Sequence, residues 1–133
     1  MQKVKEQVIL AKDDHEIIVG HLKLGLASKT FSRQEAESLE MELKKAKLVN
    51  KEVLPDDVVR LNSVVTIKDE MKGKVMELMV VTPEQADIKQ RKISVMSPIG
   101  TALIGFRKGN KISWKVPSGS ATFQILEVRN LLQ

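Results

Sequence analysis

The side chains that could perform acid–base, nucleophilic or metal chemistry are few in this sequence and poorly spaced for it. Its two histidines, His15 and His21, stand six residues apart, whereas two ligands on one helical face are three or four apart. There is no cysteine, which excludes disulfides, zinc–thiolate sites and a thiol nucleophile. No glycine-rich phosphate loop of the Walker or dinucleotide type occurs. We therefore expect no enzyme, no metal and no cofactor.

Two pairs of acidic residues are better explained by turns than by chemistry. Asp56 and Asp57 are adjacent after Pro55, and chain neighbours point in different directions, so a capping or turn role is favoured over a metal site. Glu84 and Asp87 follow Pro83 at a spacing that suits a short helical turn, with the acids near its N-terminus.

The basic residues form two groups whose role the sequence leaves open. Lys89, Arg91 and Lys92 make one group, and the other is spread over residues 107–115 as Arg107, Lys108, Lys111 and Lys115. The net charge of +5 is modest. It suits docking on an acidic protein surface, non-specific contact with DNA, or two loops that are merely solvated.

Composition describes a folded protein with an aliphatic core. The chain has 133 residues, of which 42% are hydrophobic, and contains one Trp, three Phe and no Tyr. This length favours one domain, or a small domain with an appendage, and so few aromatics leave little with which to stack bases. No apolar run approaches the roughly 20 residues that cross a bilayer. We expect a cytoplasmic protein with no membrane contact, in an oligomeric state that the sequence does not indicate.

The first part of the chain, about 12–51, has a helical period. Ile18, Leu22 and Leu26 recur every four residues, with Asp13 and Asp14 as cap candidates before them and Gly25 as a terminator. A second helix begins at a capping box of Ser32 and Glu35, which Phe31 precedes as a staple. Its apolar seam consists of Ala36, Leu39, Leu43 and Ala46. Because the connection is short, these patterns predict an antiparallel helical hairpin, a short coiled coil, over residues 1–52.

The remainder, 53–133, has strand and turn signals. Two hairpins are predicted, one from Ser63–Lys68 and Lys74–Thr82, the other from a strand around Ile112–Val116 and its return in Ala121–Arg129. Between them Ser97 can cap a short helix in which Pro98 is the first residue, with Gly105 as its stop. The fold class is thus α+β, with one short helix on a mainly antiparallel sheet of four strands.

These residues resemble a known family. Ile93–Gly105 (ISVMSPIGTALIG) is similar to the central motif of the GreA/GreB C-terminal domain, and Trp114–Ser120 (WKVPSGS) with Phe123–Val128 is similar to its last hairpin. Asp56–Val59 and Asn62–Val65 resemble the start of the domain in the Rnk branch, the regulators of nucleoside diphosphate kinase. Glu84–Asp87 resembles the acidic segment before the central motif. The resemblance covers about 55–129.

The resemblance implies an FKBP-like fold for 53–133 and docking at the rim of the RNA polymerase secondary channel. The matching residues that would make this contact are Asp87 and the turn Ser97, Pro98 and Ile99. Residue by residue, capping of the helix by Ser97 and Pro98 explains the same pattern, so both interpretations remain open.

The departures from the family indicate the subtype. Gre factors carry a long helical hairpin whose acidic tip holds a metal ion in the polymerase and stimulates transcript cleavage, whereas Gly25–Phe31 here contains a lysine and no acid. Metal ions of this kind need charged oxygen ligands. We expect an Rnk-like polymerase-binding regulator that does not stimulate cleavage. The alternatives are a Gre-type elongation factor, a prolyl isomerase, which the scarcity of aromatics disfavours, and a weak nucleic-acid-binding domain.

Overall fold

The architecture is that of a computed structural model, which describes residues 8–28, 33–116 and 119–130. Seven strands and three α-helices occur in these residues, with single 3-10 turns at Lys51–Val53, Pro83–Gln85 and Ile88–Gln90. In chain order the elements are β1 Ile9–Ala11, α1 Lys12–Ser28, α2 Arg33–Lys45, β2 Lys47–Val49, β3 Ser63–Asp69, β4 Val75–Val81, β5 Lys92–Ser94, α3 Pro98–Leu103, β6 Lys111–Val116 and β7 Gly119–Asn130.

The main sheet has five strands in the order β5-β4-β3-β7-β6. Its pairs are antiparallel, except that β5 runs parallel to β4. Both predicted hairpins are confirmed, as is the mixed helix and sheet content. The prediction of four strands was wrong, because β5 escaped notice. All three residues of β5 are half-buried, so the strand lacks the alternation that reveals a strand in a sequence.

The two helices of the first part differ in detail from the prediction. Helix α1 continues through Gly25 to Ser28, since one glycine costs a helix only about 1 kcal/mol. It begins at Lys12, which makes Asp13 and Asp14 first-turn residues and not caps. The predicted capping box and staple at 31–35 and the side chain of Leu26 lie outside the described residues.

A second, two-stranded sheet replaces the predicted end of the helical region. Helix α2 ends at Lys45, and β2 then pairs in parallel with β1, Leu10 opposite Leu48. The amide of Ile9 donates to the carbonyl of Gly105 over 3.0 Å, which attaches this small sheet to the segment after α3. Strands of three residues carry too little pattern to be recognised in the sequence.

One continuous core connects the helices with the main sheet. Ile18 and Leu22 of α1, with the predicted α2 seam residues Ala36, Leu39 and Leu43, are buried. They belong to the same cluster as the sheet residues Val65, Ile67, Val80 and Ile125. The boundary predicted between residues 52 and 53 falls in the 3-10 turn Lys51–Val53 and stays a prediction. No helix among the described residues is both long and apolar enough to cross a bilayer.

Candidate functional site

The predicted site residues lie along one edge of the main sheet, from Asp87 to Ile99, which we call the docking edge. Strand β5 is the outermost strand there. Asp87 lies beside its first residue, Lys92: the amide of each donates to the carbonyl of the other over 2.9 Å. Asp87 therefore occupies the outward-facing backbone groups of Lys92.

Asp87 also holds the exposed turn that follows it. Its carboxylate oxygen Oδ1 accepts from the amide of Lys89 at 3.1 Å and so caps the 3-10 turn. The turn closes where the amide of Arg91 donates to the carbonyl of Ile88 over 2.9 Å. Arg91 has a φ of 60°, a left-handed conformation that is uncommon for a residue other than glycine. The predicted short helical turn after Pro83 is thus confirmed, and Asp87 is one of its structural residues.

Ser97 performs the equivalent task at the other end of β5. Its amide and its hydroxyl both donate to the carbonyl of Ser94, over 3.0 and 2.7 Å. The same hydroxyl accepts from the amide of Gly100 at 3.1 Å, so Ser97 is the predicted N-cap of α3, with Pro98 as first helical residue. The capping interpretation of Ser97 and Pro98 is confirmed. It leaves the docking interpretation untested, because capping uses the backbone side of this turn.

Two residues fix the short helix α3 against β5. A Cβ atom on Gly100 would lie 2.1 Å from the carbonyl oxygen of Ser94 and 2.9 Å from the Cα of Val95, so only glycine fits there. The hydroxyl of Thr101, a buried residue, donates to the carbonyl of Val95 over 2.9 Å. The turn that presents Pro98 is therefore rigidly positioned.

The groups that the docking edge offers to solvent differ from those that shape it. Pro98 is exposed, while Asp87, Ser97 and Ile99 are half-buried. Ile99 packs against the core. The largest apolar exposure along the edge is that of Ile88, whose side chain is 85% exposed. The structure places all four predicted residues on this one edge, with Asp87 and Ser97 at opposite ends of β5.

The helices support the docking edge from behind. Nδ1 of His21 on α1 lies 3.5 Å from Oε1 of Glu84 in the 3-10 turn Pro83–Gln85. Helix α2 contacts α3. His21 thus has a surface packing role, as its spacing from His15 predicted.

The structure separates the two basic groups that the sequence left equal. Arg107 makes two bonds to the carboxylate of Asp57, at 2.9 and 3.2 Å, Lys108 lies 3.3 Å from Glu127, and Lys111 lies 3.6 Å from Glu70. The side chain of Lys115 lies outside the described residues. Within the described part of the chain, no carboxylate pairs with the other group, Lys89, Arg91 and Lys92. The docking edge therefore carries the more available positive charge.

The adjacent acids Asp56 and Asp57 lie in a turn, as predicted. The carbonyl of Asp57 accepts from the amide of Lys108 at 3.0 Å, and its carboxylate binds Arg107. In the residues that the structure describes, no cluster of three His, Cys, Asp or Glu side chains is placed to hold a metal ion. Part of the predicted hairpin tip lies outside those residues.

Sequence reasoning missed a polar cleft of about 380 Å³ between α1, the start of β3 and the turn Pro83–Gln85. Arg60 on its wall donates to Asp14 of α1 through Nε at 3.0 Å and Nη2 at 3.3 Å. The hydrogen bond to Asp14 raises the pKa of Arg60 above its ordinary value. The cleft's other ionic contacts are Lys51 with Asp13 and His21 with Glu84. Because its charges are paired internally, the cleft offers little to a ligand.

Comparison with known proteins confirms the resemblance seen in the motifs. Residues 54–130 match the family described as transcription elongation factor, GreA/GreB, C-terminal. The regulator of nucleoside diphosphate kinase from Escherichia coli strain K12 is 37% identical over 94 residues, covering 70% of this chain and 69% of that protein. Transcription elongation factor GreA from Amoebophilus asiaticus strain 5a2 is 32% identical over 133 residues, covering 95% and 81%. The solved prokaryotic transcription elongation factor GreA/GreB from Nitrosomonas europaea has a TM-score of 0.74 at 31% identity, covering 95% of this chain and 100% of that one.

Proposed function

Because this chain belongs to the GreA/GreB family of transcription elongation factors, we propose that it is a non-catalytic regulator that docks on bacterial RNA polymerase. The contact lies near the secondary channel, and the protein works in the cytoplasm, where the polymerase is. Its C-terminal part is FKBP-like in this proposal, and residues 1–52 form the helical hairpin of the family in a shortened form.

The observation that carries the proposal is the construction of the docking edge. Asp87 and Ser97 fix the two ends of β5 through backbone hydrogen bonds, and this framework presents the exposed Pro98 in a defined position. A pre-formed surface loses little conformational entropy when it binds a partner. The nearby Lys89, Arg91 and Lys92 suit an acidic protein surface and would speed its encounter.

Two features argue against stimulation of transcript cleavage. The sequence from Gly25 to Phe31 contains no carboxylate that could hold a metal ion. Helix α1 has 17 residues, a length of about 25 Å at 1.5 Å per residue. Moreover, Ile18 and Leu22 are buried in the core, so only the last part of α1 is available as a projecting arm. The protein occupies the rim of the polymerase and competes there with longer channel-binding factors.

A Gre-type elongation factor is the second candidate. It is favoured by the similarity to GreA of Amoebophilus asiaticus, which covers 95% of this chain, helical segments included. The name of the Escherichia coli relative supports a further question, whether this protein changes the level of nucleoside diphosphate kinase. Such an effect would be indirect, through transcription.

The test is a pull-down of purified bacterial RNA polymerase core enzyme, combined with a transcript-cleavage assay on stalled complexes. Pro98→Glu changes the exposed turn, and glutamate is well accommodated in the first turn of a helix. Asp87→Asn keeps the capping oxygen and removes the charge. The matched control is Val53→Glu, at a position 68% exposed in the turn Lys51–Val53.

We expect wild type and the control to retain polymerase, Pro98→Glu to lose it, and no variant to stimulate cleavage. Retention by Pro98→Glu would move the contact away from this turn. Cleavage stimulation by wild type would favour the Gre-type factor. Failure of folded wild type to retain polymerase at low salt would overturn the proposal.

A further inference from the structure

Strand β4 extends beyond its neighbour β5 and leaves part of the sheet edge without a partner. Only Met79–Val81 of β4 pair with β5. The preceding residues Val75–Leu78, which we call the open segment, pair with β3 on one side alone. Their other side has no hydrogen bond within the described part of the chain.

The backbone groups that face outward follow from the alternation along β4. The amide of Met79 donates to Arg91, and the carbonyl of Val81 accepts from Val95, so odd-numbered residues face away from β3. The amide and carbonyl of Val75 and of Glu77 therefore point out of the open segment. The rest of this edge is closed, because Asp87 occupies the outward groups of Lys92 and Ser97 binds the carbonyl of Ser94.

A groove runs beside the open segment and has a basic wall. Its volume is about 320 Å³, and its lining includes Val64, Glu77, Met79, Gln90 and Arg91. The carboxylate of Glu77 is engaged by Nη2 of Arg129 at 3.2 Å. Lys74 before the segment and Arg91 beyond it are both exposed, and neither has an ion pair within the described residues.

We propose that the open segment binds an acidic, extended segment of a partner protein, which adds to β4 as a further strand. An extended peptide supplies the alternating donors and acceptors that Val75 and Glu77 lack, whereas nucleic acid offers phosphates without that alternation. Positive charge at Lys74, Arg91 and Lys92 favours an acidic peptide. Pairing with a second copy of this chain would place these cations against each other, and is disfavoured. This surface is independent of the Pro98 turn and goes beyond the proposed function.

The experiment measures fluorescence anisotropy of a labelled peptide of alternating Glu and Val, titrated with the full chain at low and moderate salt. Two variants separate the contributions. Val75→Pro removes an outward amide and keeps the pairing with β3, which proline tolerates only at such an edge position. Arg91→Asn removes the charge and suits the positive φ of 60°. A peptide with N-methylated alternate amides is the control for backbone pairing, since it keeps the charge.

We expect wild type to bind the unmodified peptide, and Val75→Pro, folded by circular dichroism, to weaken binding about tenfold or more. Arg91→Asn should weaken it less and reduce its salt dependence. Equal binding of the N-methylated peptide would overturn strand addition, because charge alone would then explain the affinity. Absence of binding at low salt, tighter binding of single-stranded RNA, or concentration-dependent self-association blocked by Val75→Pro would each overturn the proposal.

Discussion

Nε of Arg60 donates to Oδ2 of Asp14 across 3.0 Å and thereby joins the first turn of α1 to the segment that precedes β3. Asp14 is 4% exposed and also accepts from the amide of Leu61 at 3.4 Å. The pair holds the helical part of the chain on the sheet. It is a structural link, since its charges are satisfied within the molecule.

Asp14→Ala should destabilise the protein by about 3 kcal/mol, because it leaves a largely buried guanidinium without its partner. The matched control is Asp13→Ala. Asp13 is 53% exposed and lies 3.8 Å from Lys51, so its loss should cost about 1 kcal/mol or less. Urea unfolding of both variants measures the difference. Equal losses would show that the Asp14–Arg60 pair does not hold α1 in place.

Two glycines should respond to alanine in opposite directions. Gly100→Ala places a Cβ 2.1 Å from the carbonyl oxygen of Ser94, and the shift it forces on α3 should cost about 2–3 kcal/mol. Gly20, within α1, has nothing within 4 Å of an added Cβ. Gly20→Ala should therefore stabilise the protein by about 0.5–1 kcal/mol. Thermal unfolding gives the sign of each change, and a neutral Gly100→Ala would contradict the packing of α3 on β5.

Loss of the cap at Ser97 should destabilise the docking edge. Ser97→Ala removes the acceptor for the Gly100 amide and the donor to the Ser94 carbonyl, for which we expect about 1–2 kcal/mol. Ile88→Ala, at a position 85% exposed, should stay within about 0.5 kcal/mol. Chemical denaturation followed by hydrogen exchange of the α3 amides tests this. Unchanged protection of those amides in Ser97→Ala would refute the capping role.

Stability should depend on pH through Glu42 of α2. Burial raises the pKa of Glu42 above its ordinary value, against the opposing attraction of Lys45. The folded state therefore binds this proton more tightly than the unfolded chain, and the destabilising effect of the charged form disappears as pH falls through the raised pKa. Glu42→Gln should be more stable than wild type near neutral pH and lose this advantage in acid. Glu40→Gln, at an exposed position on the same helix, should show no such dependence.

Much of the local structure was predictable, because its signals are short in range. The cap at Ser97, proline at 98 and the positive-φ glycine at 105 mark the end and the beginning of elements within a few residues. The alternation of Lys111, Ile112 and Ser113 marked a half-buried strand. The family motif at Ile93–Gly105 was legible for the same reason, since its residues are bound to each other locally.

The helical region shows where such signals mislead. Gly25 suggested a break in α1, and the apolar period suggested helix as far as residue 51, yet α1 continues to Ser28 and Lys47–Val49 form a strand. A strand of three residues exists only because its partner, Ile9–Ala11, lies beside it. That partner is distant in the chain, and no periodicity announces it.

What the sequence determined by itself is therefore the set of elements that local hydrogen bonds and alternation can specify, together with the family. The tertiary structure decided which backbone groups remain exposed. Whether Val75 and Glu77 face an empty edge depends on where β5 stops, and whether Arg107 or Arg91 keeps an available charge depends on which carboxylate folds next to it. Both follow from long-range pairing, because hydrogen bonds and ion pairs between distant residues form only after the chain has closed the intervening loops.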